Sequence, residues 1–173
     1  IEKKPFFHVL PGATALSFGM LGCDFKCPFC QNWEISQTLR DSDADGWAGP
    51  QPASPESIVA AALAEGAAVV TSTYNEPLIT AEWAGAVFAR AHGAGLLTSF
   101  VSNGNATPEV LDFLRPLVDA YKVDLKGMRE EGYRKVGGRL SVVLDALSGL
   151  VERGFWVEVV TLVVPGQNDS DEE

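Results

Sequence analysis

The chain has 173 residues, 46% of them hydrophobic and 21% charged, enough apolar material for one domain with its own core and too much for a disordered chain. A formal net charge of −10 argues against a nucleic-acid partner, which leaves a basic footprint. No run approaches the roughly 18–20 apolar residues of a membrane span, and the N-terminus lacks the basic-then-apolar pattern of a secretion signal.

In chain order, His8 precedes a first apolar stretch, residues 13–20, which reads as a strand running into Gly22 and the cysteines. Residues 38–53, rich in Asp, Gly and Pro, read as an exposed loop, and the acidic runs 41–45 and 169–173 as solvated surface. Ser54-Pro55-Glu56 starts a helix: a capping hydroxyl, proline at the first helical position and acid in the first turn. That helix runs to Leu63 or Ala64 and stops at Gly66. Residues 67–73 form a short buried strand; Ile79, Trp83, Val87 and Phe88 recur at helical spacing until Gly93, with His92 closing the helix. Residues 96–102 are the next strand. Thr107-Pro108-Glu109 repeats the helix start, with Val110, Leu111 and Leu114 inward. Residues 120–125 are a strand, 141–153 a helix closed by Gly154, and 155–164 a β-branched strand ending at Pro165-Gly166. His8, Trp33, Trp47 and Tyr133 read as packing or loop residues.

Strands apolar on both faces, each followed by an amphipathic helix, imply an α/β fold with a parallel sheet covered by helices. Five strands are visible. Pattern alone does not separate a flat doubly wound sheet from a partial barrel, but in both the ligands gather at the C-terminal ends of the strands. Polar exceptions sit at those ends. The expectation is a single domain over 1–173 that stops in what reads as the start of another helix.

Cys23, Cys27 and Cys30 have the spacing C-x3-C-x2-C and are the chain's only cysteines. An odd, clustered set is a poor disulfide framework and a good soft-metal ligand set in a reducing compartment, here the cytoplasm. Three thiolates on one loop can hold three irons of a cubane and leave the fourth open. Structural zinc wants a fourth ligand, and neither His8 nor His92 has the spacing to supply it.

The spacing, with aromatic Phe29 directly before the third cysteine, resembles the radical S-adenosylmethionine (SAM) superfamily. The run from Gly22 to Asn32 is similar to the pyruvate formate-lyase-activating-enzyme branch, and most similar to the Memo-associated (AmmeMemoRadiSam) group; the resemblance extends from about Gly12 to Gly166. It implies a partial (β/α) barrel of parallel strands covered by helices, without its last strand. It also implies a [4Fe–4S] cluster on Cys23, Cys27 and Cys30 that binds SAM at its open iron and cleaves it to a 5′-deoxyadenosyl radical.

The same resemblance assigns the polar strand ends. In Thr73-Tyr74-Asn75-Glu76-Pro77, Glu76 matches the acid that holds the SAM amino group, with Tyr74 and Asn75 in place of two glycines, as in the Memo-associated group; a helix cap is the other reading. Ser102-Asn103-Gly104 matches the segment near the SAM ribose and carboxylate, or is a plain turn. Val101 stands where activases often carry an acid. Asp124 and Lys126 match an Asp-x-Lys used around SAM. Alternation places them with Lys122 on one face, where an internal salt bridge is the alternative. Val164, before Pro165-Gly166, matches a segment packed along the adenine. The implied partners are a flavodoxin- or ferredoxin-type reductant and either a glycyl radical enzyme or a substrate handled with Memo-type proteins. An electron-transfer or structural iron–sulfur module without catalysis is the alternative from another class.

Overall fold

The computed structural model describes residues 6–44 and 49–171; Trp47, Asp45, Glu172 and Glu173 lie outside them. Five strands, β1 (Ala15–Phe18), β2 (Val69–Ser72), β3 (Leu97–Ser102), β4 (Ala120–Asp124) and β5 (Trp156–Val160), pair in parallel in the order β1-β2-β3-β4-β5. Each crossover steps one place in the same direction, and right-handed crossovers then put their helices on one face. A doubly wound sheet reverses its order at a switch point. This sheet does not, so it is a partial barrel with a concave inner face.

The helices are α1 (Trp33–Gln37), α2 (Pro55–Ala64), α3 (Ala81–Gly93), α4 (Pro108–Leu114), α5 (Glu130–Val136) and α6 (Leu140–Glu152), with 3₁₀ turns at Ser42–Ala44 and Pro77–Thr80. The expected starts hold. Ser54 Oγ accepts Ser57 N, and Ser57 Oγ accepts Ser54 N in return, a capping box closed by serine. Thr107 caps α4 one way, its Oγ1 accepting Val110 N. Among the described residues, no helix is long and apolar enough to cross a membrane.

Between sheet and helices, Trp83, Phe18, Phe88, Phe100, Tyr121 and Phe155 make a continuous string of tilted and edge-to-face contacts. The concave face is more polar: Thr71 and Ser99 share a hydrogen bond of 2.6 Å, and Lys122 and Glu158 are buried register neighbours. Residues 6–8 lie across it. Phe6 packs on Val101 and Ala120, the Glu158 carboxylate accepts Phe7 N and His8 N (both 3.0 Å), and the Lys122 ammonium stacks on the rings of Phe6 and Phe7.

Two expectations change. The last strand ends at Val160, because its partner β4 ends at Asp124. The final ladder bond is Leu125 N to Val160 O, and residues 164–168 then turn, with Asn168 bonding Val164 N and the Leu162 carbonyl. The β-branched run continues beyond the sheet without pairing. The unexpected α5 is short and polar. Tyr133 and Val136 are its buried residues, Glu131–Lys135 (3.0 Å) pairs along its surface, and Gly137 at φ +89° ends it.

Candidate active site

The cysteine loop leaves β1 and is held from three sides. From α1, Gln37 Nε2 donates to Phe25 O (3.0 Å), Ile35 O accepts Gly22 N (2.9 Å), and the buried Ser36 hydroxyl lies 3.5 Å from Cys30 Sγ. From α5, Val136 O accepts Lys26 N (2.8 Å), and Tyr133 meets the buried Phe25 ring edge-on at 6.3 Å. Gly138 is the third support, since a Cβ there would overlap the Phe25 ring. From β2, the Asn75 amide accepts Met20 N (2.9 Å) and donates to Gly22 O (3.0 Å). Tyr74 takes the left-handed φ of +78°, a conformation costing a non-glycine residue roughly 1–2 kcal/mol. This is one of the two positions that are glycine in the resemblance.

Glu76 is 2% exposed. Its Oε1 accepts Leu78 N (3.0 Å) and Ser102 Oγ (2.8 Å), and its Oε2 accepts Asn103 N (2.7 Å). The cap and the strand-end carboxylate are thus the same group. A carboxylate has about four acceptor positions, so one is left toward the cavity. Burial pushes its pKa up from 4.5 to about 7, against the pull of the Asn103 and Leu78 amides. Gly104 keeps φ +77°, and a Cβ there would lie 2.8 Å from Val123, so the Asn-Gly turn is also a packing requirement.

At the end of β4, Lys126 Nζ pairs with Asp124 at 3.2 Å. Burial works against the Lys126 ammonium, but Asp124, Cys27 and Glu76 outweigh it and hold its pKa above the ordinary value. Tyr133 OH accepts Lys126 N (3.1 Å). Lys122 lines the same cavity as this pair, and its ammonium also lies over the rings of Phe6 and Phe7.

These groups converge on one cavity of about 390 Å³ at the C-terminal end of the sheet. Cys23, Cys27, Cys30, Phe29, Asn75, Glu76, Ser102, Asn103, Asp124 and Lys126 all line it. Val164 is not brought there: it lies in the turn after β5, and Val160 and Leu162 line the cavity instead. The Asn75 amide is spent on Met20 and Gly22, so it shapes the wall by holding the cysteine loop. Asp24, Ser36, Tyr133 and Gly138 support the site without having been singled out; only the position of Asp24 between two cysteines pointed to it.

The donor set fits an iron–sulfur cluster. The three thiols are half-buried around one cavity. Burial raises the pKa of Cys23 to about 12 and that of Cys27 above its ordinary value, so without a cation both hold their protons, and binding iron means displacing them. Structural zinc wants four ligands around one centre, whereas a cubane offers each of three thiolates its own iron. His8 bonds Glu158 across the concave face and His92 bonds Asp119 (2.9 Å), so neither joins the thiols.

The model of the Radical SAM superfamily matches residues 19–173. The uncharacterized protein MJ0808 of Methanocaldococcus jannaschii is 35% identical over 171 residues, 98% of this chain and 49% of that protein, so the chain spans about half of its relative's length. Among solved structures, TYW1 with a lysine-pyruvate adduct bound aligns at TM-score 0.58 and 20% identity, over 89% of this chain and 57% of that one. Archaeal TYW1 aligns at 0.50 and 16%, over 75% and 53%. At those identities the likeness speaks for the fold alone. The singly wound parallel sheet, the three-thiol loop at its C-terminal end and the match over residues 19–173 agree: the chain belongs to the radical SAM superfamily, whose enzymes use a [4Fe–4S] cluster and SAM.

Proposed function

We propose that this chain is the catalytic core of an enzyme that cleaves SAM reductively and directs the resulting 5′-deoxyadenosyl radical at a hydrogen atom of its substrate. The observation that carries this reading is the single cavity lined by three cysteine thiols, the buried Glu76 carboxylate and the Asp124–Lys126 pair. When bound, the cluster supplies the electron that breaks the sulfonium C–S bond. The protein's share is positioning. Cys23, Cys27 and Cys30 hold the irons, and the remaining acceptor position of Glu76 takes the SAM ammonium. Asn103 and the Asp124–Lys126 pair bind the polar remainder, and Phe29, Val160 and Leu162 give apolar walls that limit water.

The substrate belongs with Memo-type partner proteins in preference to a glycyl radical enzyme. Tyr74-Asn75 before Glu76 favours that group, and so does Val101 on the cavity wall, where activases often carry an acid. A flavodoxin- or ferredoxin-type protein is the reductant, and the reducing cytoplasm suits three free thiols.

Anaerobic reconstitution with iron and sulfide, followed by dithionite and SAM, tests the reading. Release of 5′-deoxyadenosine is expected, and Cys27→Ala abolishes it. A protein that loads a cluster, whose spectrum SAM leaves unchanged and which releases no 5′-deoxyadenosine, is an electron-transfer module instead. A glycyl radical signal on co-expression with a glycyl radical enzyme would return the activase reading.

A further inference from the structure

Asp24 has no part in the function above, yet it sits at the centre of the site's hydrogen bonding. Its Oδ1 accepts Asn103 Nδ2 at 2.7 Å and its Oδ2 accepts Asn105 Nδ2 at 2.6 Å. Asn103 in turn donates its backbone N–H to Glu76 Oε2 at 2.7 Å and accepts Asn105 N at Oδ1, 2.8 Å. One carboxylate therefore ties the loop of Cys23 and Cys27 to the end of β3, and through Asn103 to the acid at the end of β2. Cys23 Sγ lies 3.8 Å from the same Oδ1. The carboxylate's partners are two neutral amides and the Cys23 thiol, and the Arg40 guanidinium bonds the Asp24 carbonyl and not its carboxylate, so among the described residues no ion pair cancels the charge of Asp24.

We propose that Asp24 is a positioning residue that locks the cysteine loop to the SAM-binding strand ends, and that its uncompensated charge holds the cluster's reduction potential down. The proposal rests on the reading that the three cysteines carry the cluster. Reduction adds an electron to a centre already made anionic by three thiolates. A fixed negative charge beside the first ligand opposes that electron, more strongly in a half-buried loop than in water. The lock has its own consequence: Asn103 is placed by Asp24 on one side and by Glu76 on the other, so loss of the bridge frees the loop that shapes the SAM site.

Two variants separate charge from bridge. Asp24→Asn removes the charge and keeps the bridge, because an overturned Asn105 amide offers its Oδ1 to the new NH₂ while the Asn103 bond persists. Asp24→Ala removes both. Both proteins and the wild type are reconstituted anaerobically, checked for iron content, titrated potentiometrically and assayed for SAM binding by equilibrium dialysis. Asp24→Asn loads as much iron as the wild type, and its ratio of reduced to oxidised cluster at the wild-type midpoint rises about tenfold, a shift of about +59 mV for a one-electron couple. Asp24→Ala shows the same shift and binds SAM about tenfold more weakly than Asp24→Asn, roughly the worth of the one or two neutral hydrogen bonds of the bridge.

A potential in Asp24→Asn equal to the wild type's overturns the electrostatic role, which a merely structural residue would not move. Equal SAM affinity in the two variants overturns the lock. Should Asp24→Ala fail to fold, the potential of Asp24→Asn decides alone. A wild-type protein without a reducible cluster sinks the enzymatic reading itself, an outcome distinct from either.

Discussion

Replacing Glu76 by glutamine probes a carboxyl group that is buried, triply hydrogen-bonded and in no ion pair among the described residues. In the folded chain its pKa is about 7, above the ordinary 4.5, so the native state binds the proton more tightly than the unfolded state does. Its contribution to stability is therefore complete below pH 4.5 and is lost as pH rises through 7. At about 1.4 kcal/mol per pH unit, that loss is about 3 kcal/mol. Glutamine does not titrate, but its NH₂ must face either Asn103 N or Leu78 N, leaving one buried backbone donor unpaired at roughly 1–3 kcal/mol. In the cluster-free protein the variant is thus the less stable at pH 5, and the gap closes or reverses by pH 8. Thermal melts read this as a wild-type melting temperature that falls by about 6–12 °C more than the variant's, since 1 kcal/mol is worth about 2–4 °C for a domain of this size. Taking the difference between the two proteins removes every other titrating group. Parallel melting curves across that range would refute the reasoning. With cluster and SAM present, the ammonium takes up the charged form. Wild-type affinity then tightens from pH 6 to 8, while Glu76→Gln binds roughly 10–100-fold more weakly with a flatter profile.

Gly138→Ala drives a methyl group into the Phe25 ring and costs about 1–3 kcal/mol; iron content after reconstitution falls with the melting temperature, because Phe25 lies between Cys23 and Cys27. Asp119→Ala removes the acceptor of Thr98 N (2.8 Å) and His92 at the opposite end of the sheet. It lowers the melting temperature by a similar amount and leaves SAM affinity at the wild-type value; a change in affinity would mean that the two ends are coupled. Cys27→Ala in the cluster-free chain barely moves the melting temperature yet prevents formation of an iron–sulfur absorbance band, the expected split for a ligand whose burial contributes little.

The strand–helix alternation, the capped starts of α2 and α4 and the chemistry of the three cysteines were all legible in the amino acids, because each rests on neighbours in the chain: period-2 and period-3.6 patterning, hydroxyl–proline–acid starts, and thiol spacing. So was the convergence of Glu76, Asn103, Asp124 and Lys126, which follows from where parallel strands end. Other features depended on residues far apart in sequence. The order β1-β2-β3-β4-β5 chose the barrel over the doubly wound sheet, and the end of β4 cut β5 short at Val160. The partners of Asn75 make it a brace for the cysteine loop as well as part of the cavity wall, and Lys122, on the same cavity, also reaches the rings of Phe6 and Phe7. Helix α5, too polar to announce itself, exists where Tyr133 and Val136 support the loop of Phe25 and Lys26. Local sequence determined which elements form and which chemistry they carry; only tertiary structure decided which polar group meets which, because a buried amide, ammonium or carboxylate is settled by the partner that folding brings to it.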